Sequence, residues 1–380
     1  MPASVGLVIV GLAVSILGPD VGLPISPELL LAIVLPGLVF EAAFRTDLDI
    51  LRPSAVPVFV LAIPGVVIVA AIVAVVLTVT TDLTPTEGFL VGAMVAATDP
   101  AAVLTTFRHI PVPPRLATMV EMESLVNDGT GIVLFALAIE LIEGGGSAGG
   151  SILSFLVRVA GGALLGAILG WVAARTVRRL DDPLEELTLT VVLAYGTYLA
   201  AEALGLSGVI ATLVAAGAFG ALARDGLTAR AVEAIDVVWE FAAFLLTAGV
   251  FLLVGVSIAP AALVAAAGAI GWGIAAILLA RAAVVYGLIG GGSAVLSRLA
   301  AARRRPIRGA EPVPGPWLHV LFWSGLRGAV SVALALSIPT DVEHRELIQG
   351  ITFGVVLFTL IVQGSTIGWV VRRSGVSTAG

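Results

Sequence analysis

Solidly apolar runs recur along the whole chain, separated by short polar stretches rich in Gly, Pro and Arg. Twelve such runs can be read, near 4–18, 28–44, 55–80, 87–107, 115–142, 151–177, 185–204, 207–223, 231–256, 261–296, 316–338 and 346–370. They are too long and too uniformly apolar for the alternating segments of a membrane β-barrel. In hydrocarbon every backbone polar group must find its partner inside its own segment, which a helix provides. The pattern therefore predicts an all-α polytopic membrane protein with about twelve transmembrane helices. The tenth run is long for a single span and is read as one tilted helix with an extension.

Composition agrees with the pattern. The 380 residues are 59% hydrophobic and only 12% charged, against about 25% charged in soluble domains. No cysteine is present, which removes disulfides, thiolate metal sites and cysteine nucleophiles. All 20 basic residues are Arg. Sixteen of them fall in the even-numbered loops and the C-terminal tail, and only Arg345 in the opposite loops. That asymmetry supports twelve spans with both termini cytoplasmic, and the expected location is the plasma membrane. The start, "MPASVGLVIVGLAVSILGP", lacks a positive n-region and a cleavage site, so it is not read as a signal peptide. The Gly-rich insert at 143–151 reads as a flexible loop, and the Arg-rich insert at 298–316 as a topology anchor. Nothing suggests nucleic acid as a partner.

Against this background, ionisable residues inside the runs stand out, because each is costly at bilayer depth. They are Glu41 in "PGLVFEAAF", Asp99 in "ATDPAAV", the acids of "EMESLVNDGTG", Arg281 in "LLARAAVVY" and Arg327 in "SGLRGAVSVALALSIP". Pro100 removes a backbone donor and disturbs its helix. Gly325 and Gly328 offer a parallel interruption around Arg327. The two interrupted runs are each second of three, in runs 3–5 and 10–12. Inverted-repeat transporters place crossing broken helices at such matched positions. On the fifth run, Ser124 and Asp128 lie four apart on one helical face, with Glu123 and Asn127 on the adjoining strip. Carboxylate, hydroxyl and amide oxygens with Asp99 and freed carbonyls would make a pocket suited to a hard cation. Alternatives remain at this level: Asp99 could cap a broken helix, Glu123 could be structural with Arg327 as its partner, and Arg281 could neutralise an acid or carbonyls.

"ATDPAAV", "ESLVNDGTG" and "SGLRGAVSVALALSIP", in this order and on runs 4, 5 and 11, resemble the core signatures of the NhaP/NHE-type sodium/proton antiporters of the monovalent cation:proton antiporter-1 family. The resemblance covers almost the whole chain. It implies a 13-helix fold whose first helix is missing here. It also implies an interface domain forming a homodimer (1–46 and 183–257), a linking helix (151–178), and a core ion-transport domain (54–142 and 260–372). It places Na+ at Asp128 with Ser124, Asp99 and the Thr98 carbonyl, and pairs Glu123 with Arg327. Asn127 and Glu41 would shape the inner side of the site, and Arg281 would belong to the structural polar core. No cofactor is implied, only the transported Na+ and H+.

The expectation is a secondary transporter rather than an enzyme. One carboxylate would hold either Na+ or a proton, and the core domain would move to give alternating access. Asn127 before Asp128 implies electroneutral exchange. A K+/H+ antiporter of the same family, with Li+ as a further possible ion, and a passive cation channel or ion sensor are the alternatives.

Overall fold

The computed structural model describes residues 3–17, 27–46, 48–144, 148–223, 226–257, 260–295 and 311–376. Most of the Arg-rich insert and the centre of the Gly-rich insert lie outside these residues. The described residues form helices and no strand.

Helices α1 (Ala3–Leu17) and α2 (Pro27–Arg45) come first. A short α3 (Leu48–Leu51) precedes α4 (Ala55–Ala62) and α5 (Pro64–Thr80), one span interrupted at Ile63 ahead of Pro64. α6 (Pro85–Ala96) and α7 (Ala101–His109) are two halves of a broken span. α8 (Pro114–Ile142), α9 (Ala148–Val177), α10 (Pro183–Ala203), α11 (Gly208–Ala223) and α12 (Ala229–Ser257) are continuous. α13 (Pro260–Ala265) and α14 (Ala267–Ala282) run into a π-helical stretch, Ala283–Gly290. α15 (Gly315–Trp323) and α16 (Ala329–Leu336) form the second broken span. α17 (Arg345–Phe358) continues through a π-helical turn, Thr359–Gln363, into α18 (Gly364–Arg373).

Every apolar run of the sequence thus falls on a helix or on the halves of a broken one. Among the described residues, seven helical stretches are long and apolar enough to cross a membrane by length and composition, and α11 is a shorter apolar helix. Proline opens α5, α6, α8 and α10, where its missing N–H would have had no helical partner anyway.

The chain divides into two units. The first comprises Met1–Leu23, Asp49–Gly145 and Phe251–Gly380, and the second Pro24–Leu48 and Gly146–Val250. In the first, α5 and α6 meet through Gly88 and Gly92, where an added methyl would collide with the backbone of Ala74 and Ala70. α6 and α8 approach at Gly131, where a methyl would sit 3.3 Å from the Ala93 carbonyl oxygen. Small residues at helix contacts are how membrane helices gain close packing without a hydrophobic force between them. These approaches bring the polar strip of α8 against the broken end of α6.

The second unit uses the same device. Gly162, Gly166 and Gly170, four apart on α9, lie against the backbone of Ser207, Ala211 and Ala215. Its core is aromatic: the Phe40 and Trp239 rings lie 4.8 Å apart, and the Trp239 indole donates to Thr190 Oγ1 at 2.9 Å.

Candidate ion site

The site lies in the first unit, where both broken spans interrupt. α6 ends at Ala96 and α7 starts at Ala101; α15 ends at Trp323 and α16 starts at Ala329. The two breaks are joined directly. Asp99 N–H donates to the Leu326 carbonyl at 2.8 Å, and Ser331 Oγ donates to the Met94 carbonyl at 2.7 Å. A break strands backbone donors and acceptors that must be satisfied in hydrocarbon. Here each break supplies partners for the other.

Asp99 caps the restarted α7. Its Oδ1 accepts from Ala101 N–H at 2.9 Å, and the Ala329 N–H at the start of α16 also acts on its carboxylate. Gly328 lies against this carboxylate so closely that a methyl there would overlap it. Negative charge at two helix N-termini is favourable. The capping alternative for Asp99 is therefore what this conformation contains.

α8 closes the site from the side. Asn127 clamps Thr98 with both ends of its amide: Nδ2–H donates to Thr98 Oγ1 at 2.7 Å, and Oδ1 accepts from Thr98 N–H at 3.1 Å. Thr98 Oγ1 and Ser124 Oγ share a hydrogen bond at 2.7 Å. When Thr98 donates in that bond, Ser124 keeps a lone pair free. Thr98, Ser124 and Asn127 are buried, whereas Asp99 and Asp128 are only partly so. Asp128 differs from all of them, since its Oδ1 is buried and has no hydrogen-bond partner among the described residues. The charges acting on it are the Asp99 carboxylate and the Arg327 guanidinium.

The expected Glu123–Arg327 pair is replaced by another. Both Glu123 carboxylate oxygens accept from Arg281, Nη1 to Oε1 and Nη2 to Oε2, the latter at 3.0 Å. Arg281 Nη2–H also donates to the Leu321 carbonyl at 2.7 Å, one of those freed by the end of α15. The physical reason is space and tethering. Arg281 passes over Gly325, where a methyl would sit 2.9 Å from its Nε. Arg327 is held in the break by its backbone, whose N–H donates to Thr359 Oγ1 at 3.0 Å. Arg327 is 1% exposed. Its Nε and Nη1 have no hydrogen-bond partner among the described residues, and Glu123 and Asp128 both act on it electrostatically.

The structure therefore gathers Asp99, Thr98, Ser124, Asn127, Asp128, Glu123, Arg281 and Arg327 in the first unit. Glu41 lies in the second, where it accepts from Arg45 at 2.7 Å, and Arg45 also reaches Asp236 and Glu240. No group of three His, Cys, Asp or Glu side chains able to hold a metal occurs among the described residues. Sequence reasoning missed Thr359 and Ser331. A hydroxyl in an apolar helix is usually satisfied by its own helix, and Thr359 Oγ1 does donate to Val356 O. Its second use as an acceptor leaves no mark in the sequence.

The transmembrane sodium/hydrogen exchanger family matches residues 1–373. The chain belongs to that family. As an exchanger, it is 38% identical over 98% of its length to the Na+/H+ antiporter NhaS2 of Synechocystis and spans 66% of that protein. It is 39% identical over 99% of its length to the antiporter ApNhaP of Aphanothece halophytica, spanning 70%. These relatives are transporters rather than enzymes. Among solved structures, the sodium proton antiporter MjNhaP1 of Methanocaldococcus jannaschii superposes with a TM-score of 0.77, covering 98% of this exchanger and 92% of that chain at 20% identity. That likeness establishes the antiporter fold, in agreement with the all-helical architecture expected from the sequence.

Proposed function

We propose that this exchanger moves Na+ one way and H+ the other across the plasma membrane, one for one, with both ions competing for Asp128. The observation that carries the reading is the unpartnered, buried Asp128 Oδ1 beside two crossed helix breaks. A buried acceptor without a partner costs about 1–3 kcal/mol or more. A proton, a cation or water must satisfy it.

Charge counting supports a one-for-one exchange. If all are ionised, Glu123, Asp99 and Asp128 oppose Arg281 and Arg327, which leaves one negative charge. A single Na+ or a single H+ on Asp128 brings the cluster to neutrality. The idealised cost of moving one bare charge into a low-dielectric interior is of order 20 kcal/mol. The empty site is thus held back, and either loaded form crosses more readily. Asn127 contributes no charge of its own. Na+ would be held by Asp128, Ser124 Oγ and the Thr98 carbonyl, with Asp99 contributing if its capping bonds open. The first unit would carry this site as the ion-transport domain, and the second would form the homodimer contact.

The test is exchange in proteoliposomes loaded with a pH-sensitive dye, challenged with Na+, Li+ and K+ in turn, with and without an imposed voltage. Asp128→Asn should abolish exchange while insertion is retained. Exchange at the wild-type rate in that variant would overturn the assignment, and voltage-dependent turnover in the wild type would overturn the one-for-one count. Stronger exchange with K+ than with Na+ would make it a potassium exchanger at the same site.

A further inference from the structure

Away from the ion site, the first unit carries a second ionisable contact that exchange chemistry does not use. His344 Nδ1 lies 3.0 Å from Glu87 Oε1 and 3.2 Å from Oε2. Glu87 is buried, and its Oε2 also accepts from Thr84 N–H and Thr84 Oγ1–H, each at 2.8 Å. Thr84 and Glu87 together form the capping box that starts α6. An ionised carboxylate only accepts, so His344 Nδ1 must donate. His344 itself caps α17, with Ile348 N–H donating to its carbonyl at 3.0 Å.

The same turn grips the other broken span. Arg345 Nε–H donates to the Ile338 carbonyl at 2.9 Å and Gln349 Nε2–H to the Ala335 carbonyl at 2.8 Å. These carbonyls lie at the C-terminal end of α16. The His344–Glu87 contact therefore closes a three-way junction between the start of α6, the end of α16 and the start of α17. α6 and α16 are the half-helices whose opposite ends meet at Asp99 and Leu326. The junction belongs to the loops that carry almost no arginine.

We propose that His344 and Glu87 form a protonation-dependent latch at this junction, which holds the two half-helices together when His344 is charged and loosens when it is neutral. The proposal rests on the antiport reading for its consequence, since half-helices held tightly together slow exchange when the medium at that face is acidic. Charge-assisted hydrogen bonds are roughly twice as strong as neutral ones, so deprotonation weakens the contact without abolishing it.

The surroundings favour the charged form. Besides Glu87 on α6, the charges acting on His344 are Glu343 and Asp82. Asp341 and Glu346 adjoin it in the chain, and the neighbouring Arg345 spends its Nε on Ile338 O. The Glu87 hydrogen bond, outweighing the cost of partial burial, holds the His344 imidazolium above a histidine's ordinary range, and the nearby carboxylates add to it. The side chain is 29% exposed, open to protons from the medium. A raised value means that the latch's contribution is complete below the ordinary value of about 6.5. It is lost as pH rises through the higher folded-state value.

The test uses His344→Gln and Glu87→Gln. Glutamine can also serve the capping box, so the second variant removes the charge and spares the helix start. Melting temperature is followed in detergent from about pH 5.5 to about pH 8.5. Wild type should lose about 2–4 °C across this range beyond whatever slope both variants retain. In proteoliposomes the acid limb of the exchange profile should move down by about one pH unit in both variants, with the maximal rate kept. Variants that keep the wild-type temperature slope would overturn the latch, and an unmoved acid limb would overturn its control of exchange. If the wild type shows no exchange at all, the antiport reading fails, and the temperature slope still decides whether the latch exists.

Discussion

Glu123 on α8 is held by Arg281 on α14, through both guanidinium Nη atoms, and not by Arg327. The two buried arginines therefore have different jobs. Arg281 braces α8 to the end of α15, while Arg327 keeps Nε and Nη1 free of hydrogen-bond partners beside Asp128. Breaking a buried ion pair strands a charge and costs about 3–5 kcal/mol. Arg281→Ala should accordingly lower the melting temperature in detergent more than Arg327→Ala does. The paired variant Glu123→Gln/Arg281→Gln should recover part of that loss. A lower melting temperature for Arg327→Ala than for Arg281→Ala would return Glu123 to Arg327.

Asn127 is the clamp on the broken end of α6, with its amide matched to both Thr98 N–H and Thr98 Oγ1. Asn127→Ala leaves a buried backbone N–H unpaired, at a cost of about 1–3 kcal/mol, and should reduce both stability and exchange. Asn127→Asp preserves the acceptor to Thr98 N–H but adds a second uncompensated negative charge to the cluster. One bound ion then no longer neutralises it. Exchange that survives in that variant should respond to an imposed voltage where the wild type does not. Voltage-independent exchange in Asn127→Asp would separate charge stoichiometry from this cluster.

Much of this was legible in the sequence, for definite reasons. Apolar runs report spans because hydrocarbon leaves the backbone no other option. Pro100 and the Gly325/Gly328 pair report breaks because they act on the backbone at their own positions. Ser124 and Asp128 were placed on one face by helical periodicity alone. What failed was partner choice across space. Arg281 and Arg327 are both buried arginines on neighbouring spans, and only the gap above Gly325 and the Thr359 tether of Arg327 tell them apart. Neither has a signature in the chain. Asp99 shows a different limit, since its spacing is compatible with a ligand or a cap, and only the structure shows that its Oδ1 caps α7.

Gly328 is where backbone and site meet most tightly. A methyl there would overlap the Asp99 carboxylate, which is itself pinned by Ala101 N–H. The carboxylate cannot retreat without uncapping α7. Gly328→Ala should therefore abolish exchange and lower the melting temperature. In Gly325→Ala the methyl meets Arg281 at its Nε, 2.9 Å away, and should weaken the Glu123 brace instead. Sodium-driven dye dequenching measured beside thermal unfolding separates the two, and normal exchange in Gly328→Ala would show that the Asp99 cap is dispensable.

Two glycines of the second unit should respond to the same substitution with opposite signs. Gly166 on α9 faces the backbone of Ala211 on α11, which cannot swing aside as a side chain would, so a methyl there must push the helices apart. Gly217 lies inside α11 with nothing within 4 Å of an added methyl. A helix-interior glycine costs about 1 kcal/mol relative to alanine. Gly217→Ala should therefore raise the melting temperature, and Gly166→Ala should lower it by an overpacking penalty of about 1–3 kcal/mol. Neither residue belongs to the ion site, so transport per folded molecule should stay near wild type in Gly217→Ala. Equal melting temperatures for the two variants would mean that the α9–α11 contact is looser than the glycine stripe at 162, 166 and 170 implies.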